Sequence, residues 1–203
     1  MFARMSVAPT PPAAAVERAV AEYRTSGDVA KLLGRLEAIA RGTNAEALIA
    51  AVEPFRDIPE VAGPIYEVIV EQRPNDARAL VILANAYWLA GRGPDVVGEL
   101  ASRAIAADAT NRGAWHLWAL TAESVRERVT RWQQVSERFA EDDLARAALA
   151  DNAASLASSE DDPVALKLAI ATYEALLARS KVPAQRNALE EAIRALRGSA
   201  SGD

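Results

Sequence analysis

The sequence has no cysteine and a single histidine, His116. Disulfides, thiol nucleophiles and zinc sites that need Cys or two His are therefore excluded. Aromatic residues make up 5% of the 203 residues, and no run approaches the roughly 20 apolar residues of a transmembrane helix. Neither the GxxxxGK(S/T) nor the GxGxxG pattern of a phosphate-binding loop occurs. We therefore predict a non-catalytic protein without cofactor or metal.

The charge balance is acidic, with 23 Lys and Arg against 28 Asp and Glu, a formal net charge of -5 and a pI of about 5.1. Proteins that bind duplex nucleic acid normally carry a basic face, so this balance disfavours a nucleic-acid partner. Alanine is abundant, at 46 of the 203 residues. Because alanine has the highest helix propensity and β-branched residues are scattered, the composition predicts an all-α protein.

The two ends of the sequence differ in composition from the rest. The opening MFARMSVAPTPPAAA has three prolines where a secretory signal would have an apolar segment. We interpret residues 1–12 as a disordered N-terminal tail, residues 13–197 as a single helical repeat domain and residues 198–203 as a disordered C-terminal tail. We expect a cytoplasmic protein, and a periplasmic location stays open if a leader or anchor is missing from this chain.

One pattern of residues occurs twice in the centre of the chain, about 35 positions apart. Each copy has large and small side chains at positions i, i+3, i+4 and i+7, which form one stripe of a helix. The two sets are Leu80, Leu83, Ala84 and Tyr87, followed by Trp115, Trp118, Ala119 and Ala122. A repeat of this length, with alanine at the packing points, is typical of helical hairpins that stack on one another.

From about residue 44 to residue 122, the pattern resembles the tetratricopeptide repeat family. Gly91 stands at the family's turn between two helices, Ala104 at a small position of the second helix, and Pro74 at the proline that precedes a repeat. Ala109 stands where the next such proline is usual. The resemblance implies a right-handed superhelical α-solenoid of stacked antiparallel helix pairs, which serves as a protein-protein interaction module.

Apolar periodicity and turn signals divide residues 13–197 into about eleven helices. Asp28 is a plausible N-cap of the second helix. Pro59 and Pro64 are only five positions apart, and we expect Pro64 in the first turn of the fourth helix, or at a kink. The last helix, residues 183–197, is charged on one face, as the end cap of a solenoid requires.

A second face of the repeat helices lies beside the packed stripe. Trp88 follows Tyr87 and so points about 100° away from that stripe. The candidate partner-binding residues on this face are Val81, Asn85, Trp88, His116 and Leu120. The resemblance implies that this face lines a concave groove for a peptide partner, and an exposed tryptophan suits a binding hot spot. Burial of Trp88 under a neighbouring helix is the alternative.

The charged clusters have simpler interpretations. Arg126, Arg128 and Arg131 form the densest basic patch, which we interpret as a solvated helix face, with a site for an acidic partner as the alternative. The carboxylates of residues 141–143 and 160–162 flank helix starts, where acidic side chains offset the helix dipole. We prefer that role for them over an acid-base pair or a cation site.

We therefore predict a scaffold or adaptor that binds a peptide or protein partner in its groove. One alternative is a structural or assembly subunit of an oligomeric complex, including a homo-oligomer. A second alternative comes from the run AWHLWALTAESVRERVTRWQQV, which is similar to the periplasmic tetratricopeptide domain of the cytochrome c maturation apparatus. Trp132 matches a tryptophan in the last helix of that domain. This resemblance implies an apocytochrome-binding biogenesis factor.

Overall fold

The computed structural model describes residues 12–199 of the chain. Within this range every regular element is helical, which confirms the predicted all-α class. The elements are α1 (Pro12–Ser26), α2 (Val29–Ala40), α3 (Ala45–Val52), a short 3₁₀ turn (Glu53–Phe55), α4 (Pro59–Gln72), α5 (Ala77–Leu89), α6 (Pro94–Ala107), α7 (Arg112–Leu120), α8 (Val125–Arg138), α9 (Asp143–Glu160), α10 (Pro163–Arg179) and α11 (Pro183–Ser199). The predicted disordered tails lie outside the described residues, except that Pro12, Gly198 and Ser199 extend the first and last helices.

Polar side chains cap the N-termini of many of these helices. An Asp28 carboxylate oxygen accepts a hydrogen bond of 2.9 Å from the backbone N–H of Lys31, which confirms the predicted cap of α2. The same arrangement occurs at Asn44, Asp76, Ser124, Asp142 and Asp162. Each cap satisfies an N–H group that has no partner inside its helix, which typically stabilises the protein by about 1 kcal/mol.

Helix α4 differs from the expectation for Pro64. The helix begins at Pro59, in the first helical position, where a missing N–H is no loss. Pro64 therefore lies beyond the first turn, inside the helix. An interior proline costs about 3 kcal/mol. Val61 and Ala62 are both fully buried, and the burial of this stretch offsets that cost.

The predicted turn after α5 is confirmed at Gly91 and Gly93. Their φ angles are 70° and 94°, in the region that favours glycine. The Arg92 N–H donates to the Tyr87 carbonyl oxygen at 3.0 Å, and the Gly91 N–H donates to the Trp88 carbonyl oxygen at 3.1 Å. This Schellman arrangement ends α5 and satisfies its last carbonyl groups.

The chain forms two compact units, the first ending at Ala114 and the second beginning at Trp115. In the first unit α1 packs on α2 and α3, α2 packs on α4, and α3 packs on α4. The α1–α2 hairpin therefore stacks on the α3–α4 hairpin with first helix on first helix and second on second. Helices α5 and α6 continue the series from α4. Fully buried side chains of this core include Val16, Leu36, Leu48, Ile65, Leu80 and Ala84.

In the second unit, α8 packs on α9, α9 packs on α10 and α10 packs on α11. Alanine is frequent in its core because helices in contact need small residues where they cross. Trp132, which is 3% exposed, lies in this core as the helical periodicity of its segment predicts. The core cluster consists of Ala119, Val129, Trp132, Val135, Ala145, Leu149, Ala153, Leu156, Ala165 and Ala169. Over residues 12–199, no helix combines the length and the apolar character needed to cross a membrane.

Candidate functional site

Helix α5 buries one face, and the side chains on its other side are exposed or half-buried. Leu80, Leu83 and Ala84 are at most 4% exposed, which confirms the predicted packed stripe. On the other side of the helix, Trp88 is 39% exposed and Leu89 is 59% exposed. At 100° per residue, six side chains share an arc of about 120° on this side. We call this surface the open face of α5; it consists of Arg78, Val81, Ile82, Asn85, Trp88 and Leu89.

A depression of about 300 Å³ lies along the first turns of the open face. That volume is at the lower limit of the range for ligand pockets. The lining residues are Arg56, Asp57, Arg78, Val81, Ile82, Asn85 and Asn111. Val81 and Asn85, two of the predicted groove residues, therefore border one concave surface.

Two arginines of the depression are held by one carboxylate oxygen. Glu53 Oε1 accepts from Arg56 Nη1 at 2.9 Å and from Arg78 Nη2 at 3.0 Å. The two arginine side chains are 46% and 65% exposed. Glu53 stands in the 3₁₀ turn between α3 and α4, and Arg78 in the first turn of α5. Both guanidinium groups therefore lie beside the depression, and each is paired with the Glu53 carboxylate.

Tyr66 of α4 lies close to this group of charges and is 1% exposed. Burial raises the pKa of its hydroxyl; the nearby Glu53 carboxylate raises it further, whereas Arg78 and Arg56 oppose the change. The hydroxyl is therefore neutral at physiological pH and can donate a proton in a hydrogen bond. Within the described part of the chain, neither the Tyr66 hydroxyl nor the buried Glu53 Oε2 has a hydrogen-bond partner.

Tyr87 fixes the other end of the open face. Its hydroxyl donates to the Glu67 carboxylate at 2.5 Å, which joins α5 to α4. Burial and this hydrogen bond raise the pKa of Tyr87 to about 12. The Arg92 guanidinium lies 4.9 Å from the centre of the Tyr87 ring, a cation–π contact. The last turn of α5, which carries Trp88 and Leu89, is therefore held in place.

The other two predicted groove residues, His116 and Leu120, belong to the second unit. His116 is half-buried, and its Nε2 lies 2.6 Å from Oδ2 of Asp142, the buried cap of α9. The His116 ring also contacts the edge of Trp132, with 5.3 Å between ring centres. Leu120 is half-buried against the core cluster of this unit. Both side chains thus make contacts inside their own unit. A single groove lined by all five predicted partner-binding residues stays a prediction.

Two arginines of α8, Arg128 and Arg131, donate hydrogen bonds to backbone carbonyl groups and so do more than form a solvated helix face. Arg131 Nη1 donates to the Trp118 carbonyl oxygen at 2.6 Å, and its guanidinium lies 4.6 Å from the centre of the Trp118 ring. Arg128 Nη2 donates to the Ala122 carbonyl oxygen at 3.2 Å. The first bond satisfies a carbonyl group in the last turn of α7, and the second satisfies one in the turn that follows the helix. Arg126, by contrast, is 56% exposed and pairs with carboxylates next to α10.

Trp115 and Trp118, which the repeat pattern assigns to packing positions, are half-buried. They pack against the core cluster and meet edge to face, with 5.5 Å between ring centres. The Arg138 guanidinium lies 4.9 Å from the centre of the Trp115 ring. The arginines of α8 therefore cover the outer faces of both tryptophans. Over residues 12–199, no group of three or more His, Asp or Glu side chains is placed to hold a metal ion.

The sequence matches no family model and no curated protein. Solved structures do match the fold. A structure of the protein MamA superposes with a TM-score of 0.57 and 17% identity, covering 84% of this chain and 96% of that one. A tetratricopeptide repeat protein from Parabacteroides merdae superposes with a TM-score of 0.57 and 14% identity, covering 96% of this chain and 75% of that one. The fold is that of a tetratricopeptide-repeat protein.

The tetratricopeptide fold confirms the predicted stacked helix pairs. Proteins with this fold generally serve as non-catalytic interaction scaffolds, because their stacked repeats present extended binding surfaces. Sequence reasoning missed Ile82 and Leu89, although the helical spacing of α5 could have placed both on the open face. It also missed Arg56, because only the packing of α3, α4 and α5 brings this residue to Arg78.

Proposed function

We propose that the protein is a non-catalytic scaffold that binds a protein partner along the open face of α5. The observation that carries this proposal is the pair of uncovered apolar side chains, Trp88 and Leu89, on the helix that also borders the depression. Tryptophan is enriched among the residues that dominate binding energy, and Trp88 and Leu89 are two of the large apolar side chains that the described part of the chain leaves exposed.

The dimensions of the open face suit a short peptide segment. From Arg78 to Leu89 the helix rises about 16 Å, at 1.5 Å per residue. An extended chain of about five residues spans that length. Such a segment could place one side chain in the depression and another against Trp88. The rigid α4–α5 packing under the face, including the Tyr87 hydrogen bond to Glu67, reduces the ordering that binding requires.

Site-directed photo-crosslinking tests this proposal. A benzoylphenylalanine at Asn85 or at Leu89 is irradiated in a lysate of the source organism, and adducts are identified by mass spectrometry. The matched control carries the same group at Glu99, an exposed position on α6. We expect one protein to be captured at positions 85 and 89 and not at position 99.

The same adduct must depend on Trp88. Replacement of Trp88 by Ala in the crosslinking variants should weaken binding by about 2 kcal/mol or more, as truncation of an aromatic hot spot does, and so remove most of the adduct. Equal capture at Glu99, or capture that is unaffected by Trp88→Ala, would place the interaction elsewhere. Capture of the chain by itself, checked by light scattering, would indicate the alternative of a homo-oligomeric assembly subunit.

A further inference from the structure

Helix α2 presents an exposed apolar surface in the first unit. Val29 and Leu33 are 42% and 41% exposed, and Ala30 and Gly34 beside them are exposed as well. We call these four residues the α2 patch. We propose that the α2 patch binds the same patch of a second copy of this chain and so forms a two-fold symmetric dimer. None of the four residues borders the depression at α5, so the inference goes beyond the proposed function.

The α2 patch faces away from the helices that α2 contacts. Leu32, Leu36 and Ala40 are at most 3% exposed, and this stripe of α2 packs on α1 and α4. At 100° per residue, Ala30 and Gly34 point about 160° away from Leu32. A Cβ atom added at Gly34 would meet no atom of another helix within 4 Å. Among the described residues 12–199, the space in front of the patch is therefore open.

The first hairpin lacks the polar outer face that α11 has. An array of helical repeats needs such a face at its ends to stay soluble. Helix α11 meets this need, because Ile193 is buried whereas Glu190, Glu191 and Arg194 are exposed. The α2 patch, by contrast, contains no charged side chain. It is therefore a surface on which a further helix can pack.

The charges around the α2 patch favour a second copy over a charged partner. Lys31 and Arg35 both pair with Glu22 of α1. Arg41 pairs with Glu37 at 2.8 Å. Acidic and basic side chains around the patch are equal in number; they are Glu22, Asp28 and Glu37 against Lys31, Arg35 and Arg41. Two identical copies therefore meet without net repulsion, whereas an acidic or basic partner gains no net attraction.

Symmetry and size decide how strong this contact is. In a two-fold dimer, each contact that one copy makes is made again by the other, so a small patch contributes twice. Helix α2 has 12 residues, which makes it about 18 Å long. One helix face of this length buries less than the roughly 800 Å² per partner of a stable interface. We therefore expect a weak dimer whose population rises with protein concentration.

Cysteine crosslinking tests the inference, because the chain contains no cysteine of its own. Ala30→Cys and Gly34→Cys each place one thiol in the patch, and the control Ala106→Cys places one at an exposed position of α6. Each variant, and a mixture of the first two, is oxidised mildly. Covalent dimers are then quantified on a non-reducing gel.

We expect the patch variants to crosslink about tenfold faster or more than the control, because a disulfide needs Cα atoms within about 7 Å of each other. The pairing also reports the orientation of the two helices. Parallel α2 helices join like positions, whereas antiparallel helices join position 30 to position 34 in the mixture.

Sedimentation equilibrium of the full chain gives a second measurement. The mass should rise from 21.7 kDa toward twice that value as the concentration increases. Leu33→Lys brings like charges together in the dimer and should weaken association about tenfold or more. The control Leu144→Lys charges a leucine of α9 that is 66% exposed, and it should leave association unchanged. Both variants should keep the circular dichroism spectrum of the wild type, because both side chains are exposed.

Four results contradict the inference. A mass of 21.7 kDa at every concentration excludes the dimer, as does equal crosslinking at position 106. Equal effects of Leu33→Lys and Leu144→Lys place the contact elsewhere. A disulfide within one chain of the double variant Ser6→Cys and Gly34→Cys assigns the patch to residues 1–11 of the same chain. Each of these results leaves photo-crosslinking on the open face of α5 unaffected, so this inference and the proposed function fail separately.

Discussion

At the scale of single residues, the Asp142 carboxylate makes two different interactions. Oδ1 accepts from the backbone N–H groups of Leu144 and Ala145, at 3.1 and 3.2 Å, and so caps α9. Oδ2 lies 2.6 Å from Nε2 of His116 on α7. Asp142 is 5% exposed, so both interactions lie away from solvent, where an unpaired polar group is costly.

Two substitutions at Asp142 should separate these interactions. Asp142→Ala removes both, and we expect a loss of about 2 kcal/mol or more, from a helix cap of about 1 kcal/mol and a His116 ring left without its partner. Asp142→Asn keeps a good capping side chain and should lose less. Urea denaturation followed by circular dichroism measures both losses. Equal losses would show that the cap contributes little.

Arg131 should contribute more to stability than its neighbour Arg126. Arg131 is 20% exposed and donates to the Trp118 carbonyl oxygen, so Arg131→Ala should cost about 1.5 to 3 kcal/mol, the range for hydrogen bonds of charged groups. Arg126→Ala should leave the denaturation midpoint nearly unchanged, because exposed ion pairs contribute little. Equal midpoints for the two variants would mean that the bond to α7 does not stabilise the fold.

At the scale of an element, the two faces of α5 should respond differently to truncation. Leu83 is 4% exposed, and Leu83→Ala should cost about 2 to 5 kcal/mol through the lost contacts and the cavity left behind. Trp88→Ala should change the melting temperature little, since 39% of this residue is exposed. Thermal melts of both variants check the expectation. A Trp88→Ala protein that melts as early as Leu83→Ala would contradict an open face.

At the scale of the whole molecule, carboxylates paired with basic side chains occur in both units. The pKa of Glu22 is lowered by its hydrogen bond to Lys31 in the first unit, and the pKa of Glu141 is lowered by Arg179 in the second. A carboxyl group with a lowered folded-state pKa stabilises the fold above its unfolded pKa. That stabilisation is lost as the pH falls through the folded pKa.

Acid titration of Arg179→Gln tests this linkage. The variant lacks the partner that lowers the pKa of Glu141, so it should be slightly less stable than wild type near neutral pH, a small effect because the pair is exposed. The difference should shrink as the pH falls below 4.5, the ordinary pKa of this carboxyl. Urea midpoints measured between neutral pH and about pH 3 give the difference directly. A difference that stays constant across this range would show that the ion pair is not linked to folding.

Much of the helical architecture could be predicted from the sequence, because its causes are local. Asp28 caps the helix that follows it whatever packs nearby, and Gly91 ends α5 because it can adopt a positive φ. The stripe that includes Leu80 and Ala84 follows from helical periodicity. The first-turn alternative for Pro64 was wrong because the start of α4 depends on packing: the helix begins five residues earlier, at Pro59, and buries Val61.

The sequence by itself therefore determined the helix class, most helix limits and the buried stripe of α5, each through interactions within about one or two turns. It did not determine which face of α5 stays uncovered, because the exposure of Trp88 depends on how neighbouring helices pack. Nor did it place Arg56 beside Arg78, or His116 within hydrogen-bond distance of Asp142. These residues are 22 and 26 positions apart, and only the packing of one helix hairpin against another brings their side chains together.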